Sequence, residues 1–140
     1  MERPRLQVEK TSTDIFLERI TLLILVFLWV FVIVSYKKLP DQIPSHYDWQ
    51  GKPDNYDCKV IIFLLPSIIT VLIFLLRLLN NFPHKFNYLS NITNENAAQQ
   101  YAISTQLIRV ISLVIVIAFS YITLKTVHDS KQPHSMPDWW

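Results

Sequence analysis

The residues of this sequence that could do chemistry are concentrated between positions 37 and 59. His46, Asp48 and Asp54 offer an imidazole and two carboxylates, a ligand set that suits a divalent cation. Their spacing matches no standard metal motif, and in a segment rich in proline and aspartate such side chains commonly cap turns and accept hydrogen bonds from loop amides. We expect turn stabilisation. The alternative is a divalent-metal site at these three residues, joined by Asp41 or Asp57.

The remaining composition argues against the common classes of enzyme and against nucleic-acid binding. There is no His-Glu-x-x-His motif and no serine-centred glycine elbow, and the single glycine, Gly51, rules out a glycine-rich phosphate loop. Cys58 is the only cysteine, so no intrachain disulfide or thiol pair is available. The 13 basic and 11 acidic residues are too evenly balanced and dispersed for a nucleic-acid surface. We expect a non-enzymatic protein without a required cofactor.

Three long apolar stretches must position the polar segment. Residues 20–36, 60–76 and 110–124 carry no charge, and they lack the polar stripe of a helix in a soluble bundle. With their flanks they are long enough to cross about 30 Å of hydrocarbon. The sequence predicts an all-α membrane protein with three transmembrane helices and an ordered polar loop between helices 1 and 2.

The predicted boundaries follow from these runs. They give an N-terminal tail or short interfacial helix at 1–14, a three-span membrane domain at 15–127 and a C-terminal tail at 128–140. Within the domain, spans are expected at about 15–36, 60–79 and 107–125, with the polar loop at 37–59 and an interfacial segment at 80–106. Pro66 predicts a kink in the second span. Thr93 is the predicted N-cap of a third helix that begins outside the membrane.

Aromatic and glycine residues give the polar loop its expected shape. Gly51 lies beside Lys-Pro-Asp, which indicates a turn with positive φ. Tyr47, Trp49 and Tyr56 fit either an aromatic belt at the lipid head groups or the walls of a ligand pocket. We favour the belt.

Four charged residues mark the membrane edge on the side of the N-terminus: Glu18, Arg19, Arg77 and Arg109. A pair between Glu18 and one arginine would hold two helices together. The alternative is that each arginine extends toward lipid phosphate. Basic residues are almost equally divided between the two sides, so the positive-inside rule does not decide the orientation.

The pattern Leu39-Pro40-x-x-Ile43-Pro44-x-His46, then Trp49-x-Gly51-x-Pro53-Asp54, then Lys59, resembles the signature loop of a bacterial membrane-protein family, domain of unknown function 1648. That domain also forms the N-terminal part of SdpI-type immunity proteins. The matching loop positions are Pro40, Pro44, His46, Gly51, Pro53, Asp54 and Lys59. A second similar segment precedes the last span and includes Glu95, Asn96, Ala97 and Tyr101.

The resemblance implies a location and a role. It places the protein in the inner (plasma) membrane, with a cytoplasmic N-terminus and with loop 37–59 and the C-terminus outside the cytoplasm. It suggests an immunity-like or partner-recognition module acting through that loop on a peptide toxin or another membrane protein. The alternatives are an accessory subunit that packs with another membrane protein and a metal-dependent activity at His46 and Asp54.

Overall fold

The computed structural model describes residues 3–131 as three helices and one β-hairpin. In chain order these are α1 (Ser12–Tyr36), β1 (Gln42–Tyr47), β2 (Pro53–Cys58), α2 (Leu64–Leu79) and α3 (Ala97–Asp129). Together with a preceding 3-10 helix, α2 forms a span from Lys59 to Leu79, and all three spans are long and apolar enough to cross a membrane. The prediction of a helical membrane protein with three spans is confirmed. The hairpin formed by β1 and β2 was not predicted.

Helix α1 begins at a capping box. The Thr11 backbone N–H donates to Asp14 Oδ2 at 2.9 Å, and the Asp14 N–H donates to Thr11 Oγ1 at 3.2 Å. Two backbone donors that the first turn would leave unpaired are satisfied by this exchange. The helix therefore begins at Ser12 instead of residue 15, and Asp14 belongs to the helix and not to a tail.

The segment before α1, residues 3–11, has no regular secondary structure and is not an interfacial helix. The Arg3 guanidinium donates to the carbonyls of His84 and Phe86 at 3.3 and 2.5 Å and lies 5.5 Å from the centre of the Tyr88 ring. The Tyr101 hydroxyl donates to the Pro4 carbonyl at 3.0 Å. These contacts fix the N-terminal segment across the connection between α2 and α3.

Pro66 lies in the first turn of α2, which begins at Leu64 after a 3-10 helix over Lys59–Phe63. Backbone N–H groups of a first helical turn have no intrahelical acceptor, so a proline there interrupts no hydrogen bond. The sequence predicts a kink at Pro66. In the structure, the irregular geometry of this span is the change from a 3-10 helix to an α-helix just before Pro66.

Helix α3 extends well beyond its apolar run. Its 33 residues span roughly 50 Å at about 1.5 Å per residue, more than the hydrocarbon thickness. It begins outside the apolar run, as predicted, but its N-cap is Asn96. Thr93 instead exchanges hydrogen bonds with Asn96 in the turn before the helix. The helix continues to Asp129, past the predicted domain boundary at 127, and residues 132–140 of the predicted C-terminal tail lie outside the described residues.

The helices pack through a narrow seam. Leu25, Leu28 and Val32 of α1 are buried at alternating spacings of three and four, the pattern of a coiled-coil stripe. Within its apolar run, helix α3 buries small or β-branched side chains, among them Ser112 and Thr123. Their hydroxyls donate to the carbonyls four residues earlier, so these two polar groups remain paired when they are buried in the bilayer. Small residues in this seam let the helix backbones approach closely.

Candidate functional site

The predicted site residues fall at opposite ends of the helix bundle. The loop-signature residues lie at the end where α1 leads into the hairpin, whereas Glu95, Asn96, Ala97 and Tyr101 lie at the start of α3. Along α3, Tyr101 and Lys125 are roughly 36 Å apart. The two sets cannot form one site, so each end is described by its own contacts.

The hairpin is closed at its base by Asp41 and Lys59. Its strands pair antiparallel, with Gln42 opposite Cys58 and Tyr47 opposite Pro53. The Lys59 backbone N–H donates to the Asp41 carbonyl at 2.9 Å, and Lys59 Nζ lies 3.0 Å from Asp41 Oδ1. The Asp41 side chain is 96% exposed, so the ion pair adds little stability. The backbone hydrogen bond extends the strand pairing by one residue.

The loop at the hairpin tip is organised by Asp48. Its carboxylate oxygen Oδ1 accepts the backbone N–H groups of Gln50 and Lys52 at 2.9 and 2.8 Å, and its carbonyl accepts the Gly51 N–H at 2.9 Å. Gly51 has φ = 77°, which confirms the predicted turn position. Asp48 therefore holds the loop backbone, as expected for turn stabilisation.

His46 and Asp54 face each other across the two strands. His46 Nδ1 lies 2.5 Å from Asp54 Oδ1, and the two side chains are 69% and 43% exposed. Within residues 3–131 there is no group of three or more His, Cys, Asp or Glu side chains that could hold a metal ion. The structure thus brings together two of the three predicted metal ligands and directs the third, Asp48, to the loop backbone.

Tyr47 attaches the hairpin to the last turns of α3. Its hydroxyl donates to Thr126 Oγ1 at 3.3 Å, and Lys125 Nζ lies 4.3 Å from the centre of its ring, within cation–π range. Lys125 also pairs with Asp129 at 2.5 Å. Burial, reinforced by the negative charge of Asp129, raises the pKa of Tyr47 to about 12. The hairpin is therefore held beside the turn of α3 that follows its apolar run.

The three aromatic residues of the hairpin have different surroundings. Tyr47 and Tyr56 are half-buried, whereas Trp49 at the tip is 91% exposed. Trp49 is the large apolar side chain that the hairpin presents to its surroundings.

At the opposite end, Arg109 is buried between two carboxylates of α1. Its side chain is 7% exposed; Nε donates to Glu18 Oε1 at 2.9 Å and Nη1 donates to Asp14 Oδ1 at 3.2 Å. The other oxygen of Glu18 accepts Lys10 Nζ at 2.8 Å and lies 3.6 Å from Arg77 Nη2. We call these five residues the charge cluster. It includes the predicted pair of Glu18 with an arginine.

Sequence reasoning placed three members of the charge cluster at the membrane edge and missed Asp14 and Lys10. Asp14 was assigned to the tail, although Thr11-x-x-Asp14 is a capping-box pattern and Asp14 and Glu18 share one helix face at spacing i, i+4. Arg19, the fourth charged residue predicted at the membrane edge, is exposed.

The second predicted segment forms the start of α3 and not a binding site of its own. Ala97 and Tyr101 are fully buried, and the Tyr101 ring packs 5.7 Å from that of Tyr88. Asn96 occupies the N-cap position without a capping hydrogen bond from its side chain, and Glu95 is exposed.

Comparison with known protein families finds a match to the region that contains the hairpin. Residues 23–70 match a family model described as a domain of unknown function, DUF1648. This part of the chain is therefore similar to the DUF1648 family. The match covers most of α1, the whole hairpin and the beginning of α2, and it leaves out Glu18, Arg77 and Arg109.

A curated relative is similar to part of this chain. An uncharacterized protein of Archaeoglobus fulgidus is 28% identical over 61 residues, which are 44% of this chain and 33% of the relative. The chain therefore spans about a third of the length of that relative. No solved structure matches. The residues of the hairpin therefore lie within the region that matches DUF1648, whereas the residues of the charge cluster lie outside it.

The pKa of Tyr47 gives a pH prediction for the hairpin contact. Because the pKa in the folded protein lies above the ordinary value of about 10, docking favours the neutral phenol. Its contribution to stability is complete below pH 10 and is lost as the pH rises through about 12. Absorbance titration of the tyrosines should therefore lose a step near pH 12 in Tyr47→Phe. Tyr56→Phe on the same hairpin is the control and should keep that step. Loss of a step near pH 10 in Tyr47→Phe would contradict the docking.

Proposed function

We propose that this protein is a non-enzymatic membrane module that recognises a peptide or protein partner through the hairpin over residues 42–58. The observation that carries the proposal is Trp49, a large aromatic side chain that is 91% exposed on an ordered loop. Tryptophan is enriched among the few residues that dominate binding energy in protein interfaces.

The hairpin supports this role because it is held in shape before any partner arrives. Asp48 fixes the tip, Asp41 and Lys59 close the base, and Tyr47 fastens one strand to α3. Affinity improves when the binding surface is already ordered, since less conformational freedom is lost on association. A loop that served only to join two spans would not need these three attachments.

The side chains near Trp49 would give such an interface a polar rim. Gln50 and Lys52 are exposed in the same loop, and the pair of His46 and Asp54 lies on the adjoining strands. An aromatic anchor surrounded by polar groups is the usual composition of a transient interface. A metal-dependent activity at His46 and Asp54 has less support, because residues 3–131 contribute no third ligand to that pair.

Trp49 has a competing role as an anchor in the lipid head groups. A side chain at Gly51 would lie 4.0 Å from the Lys125 side chain, so the tip is close to the end of the apolar run of α3. Tryptophan is enriched at that depth of a membrane. The two roles differ in what touches the indole, protein or lipid.

Photocrosslinking from position 49 separates these roles. With a benzophenone amino acid in place of Trp49, we expect a discrete protein or peptide adduct in native membranes. The adduct should weaken in Asp48→Ala, which loosens the tip, and persist in Asp57→Ala, an exposed residue of β2. Lipid adducts alone at position 49 would contradict recognition and support anchoring.

A control position tests the alternative of an accessory subunit. Only 22% of the apolar window of each span is buried within the chain, so the helices could also pack against another membrane protein. Val114 is 60% exposed in the middle of α3. A crosslinker there should reach lipid only if the hairpin is the recognition surface. Protein adducts from position 114 and none from position 49 would favour the accessory role.

We also propose that the protein lies in the plasma (inner) membrane with its N-terminus in the cytoplasm and the hairpin outside. The support is the family resemblance of the loop, together with the single span, α1, that separates the N-terminal segment from the hairpin.

Cysteine labelling tests this orientation. Cys58 is the only cysteine and is exposed at the end of β2. A membrane-impermeant maleimide should label it in intact cells. In Cys58→Ser with Ser90→Cys, which moves the thiol to an exposed residue between α2 and α3, labelling should require permeabilised cells. The reverse pattern would overturn the orientation.

A further inference from the structure

A cleft lies at the end of the bundle that carries the charge cluster. The cleft has a volume of about 570 Å³ and is bounded by the N-terminal segment, the end of α2 and the first part of α3. This volume is in the range of ordinary ligand pockets. Neither the DUF1648 match nor the proposed recognition role accounts for it.

The charges lining the cleft are unbalanced. Lys10, Arg77 and Arg109 contribute three cations, and Glu18 contributes the one carboxylate of the lining. Asp14 lies against Arg109, so the whole charge cluster still carries an excess of one positive charge. An anion bound in the cleft would neutralise this excess positive charge.

Arg77 is the cation with the poorest partner. Both oxygens of Glu18 are already hydrogen-bonded, one to Arg109 and the other to Lys10. Arg77 Nη2 remains 3.6 Å from Glu18, too far for a hydrogen bond, and its side chain is 50% exposed. Its planar guanidinium is therefore available for bidentate binding of a phosphate.

Asn80 adds a polar atom that needs a donor. Its Nδ2 donates to the Thr105 carbonyl at 3.2 Å, but its buried Oδ1 accepts no hydrogen bond from residues 3–131. Asn80 lines the same cleft as Arg77. A ligand that carries a hydroxyl group beside its phosphate would satisfy this oxygen.

One wall of the cleft is apolar and faces the membrane. Phe74 and Leu78 lie on the same face of α2 as Arg77, at spacings i, i+3 and i+4, and they are 60% and 43% exposed. Because α2 is a membrane span, this strip continues from the cleft into the hydrocarbon. A phosphate at Arg77 could therefore be joined to an acyl chain lying over Phe74 and Leu78.

From these features we propose that the cleft binds one acidic glycerophospholipid. Its phosphate lies between Arg77 and Lys10, a headgroup hydroxyl donates to Asn80 Oδ1, and an acyl chain covers Phe74 and Leu78. Basic pockets between transmembrane helices bind anionic head groups in this way.

Titration of the purified full chain in a neutral detergent tests the site. Native mass spectrometry should show tighter retention of dioleoyl phosphatidylglycerol than of dioleoyl phosphatidylcholine. Arg77→Gln should weaken phosphatidylglycerol binding by about fivefold or more, the usual effect of losing one basic contact. Arg77→Lys should keep most of the affinity. Arg19→Gln, which removes an exposed arginine at the same membrane edge, should keep all of it.

Two further results decide between a lipid and a phosphate ion. Dioleoyl phosphatidylglycerol should bind more tightly than its dihexanoyl form, and millimolar inorganic phosphate should not displace it. Displacement by inorganic phosphate would overturn the lipid assignment. Equal retention of both phospholipids, or equal losses in Arg77→Gln and Arg19→Gln, would overturn the site itself. Thermal unfolding of each variant without lipid separates loss of binding from loss of folding.

Discussion

The structure depends on keeping the buried guanidinium of Arg109 paired. Asp14 and Glu18, one turn apart on α1, hold this group of α3 from two sides, and Arg109 is 7% exposed. Without the arginine, two carboxylates would remain in a largely desolvated place, which is far more costly than losing a surface ion pair. The contact therefore sets the register of α1 against α3. Because α3 is one continuous helix of roughly 50 Å, that register also decides which residues of α3 meet the hairpin at the other end.

Different interactions stabilise the two ends of the bundle. At the hairpin end, shape comes from backbone hydrogen bonds, one glycine with positive φ and the docking of Tyr47 on Thr126. At the other end, it comes from buried charge. The DUF1648 match contains the hairpin but neither Glu18 nor Arg109. The chain thus combines a hairpin inside the matched region with a charge cluster outside that region, at the opposite end of the bundle.

The sequence predicted those structural features that depend on local composition. Uncharged apolar runs located all three spans, and the isolated Gly51 indicated its turn. The strands were missed because the hairpin shows no alternation of apolar and polar residues, and prolines at positions 44 and 53 argue against strands. The pair of Arg109 with Asp14 joins residues 95 positions apart, so spacing alone could not reveal it. The sequence analysis grouped His46, Asp48 and Asp54. Spacing could not show that the Asp48 carboxylate accepts hydrogen bonds from the loop amides while His46 contacts Asp54.

Equilibrium unfolding of Arg109→Gln in detergent, followed by the circular dichroism of the helices, tests the central claim most directly. The variant should lose about 3–5 kcal/mol of unfolding free energy, because two buried carboxylates lose their partner. Adding Asp14→Asn and Glu18→Gln should recover a large part of that loss. Arg19→Gln, at an exposed arginine, should stay within about 0.5 kcal/mol of the parent. If Arg109→Gln were no more destabilising than Arg19→Gln, the buried ion pair would not be what holds α1 and α3 in register.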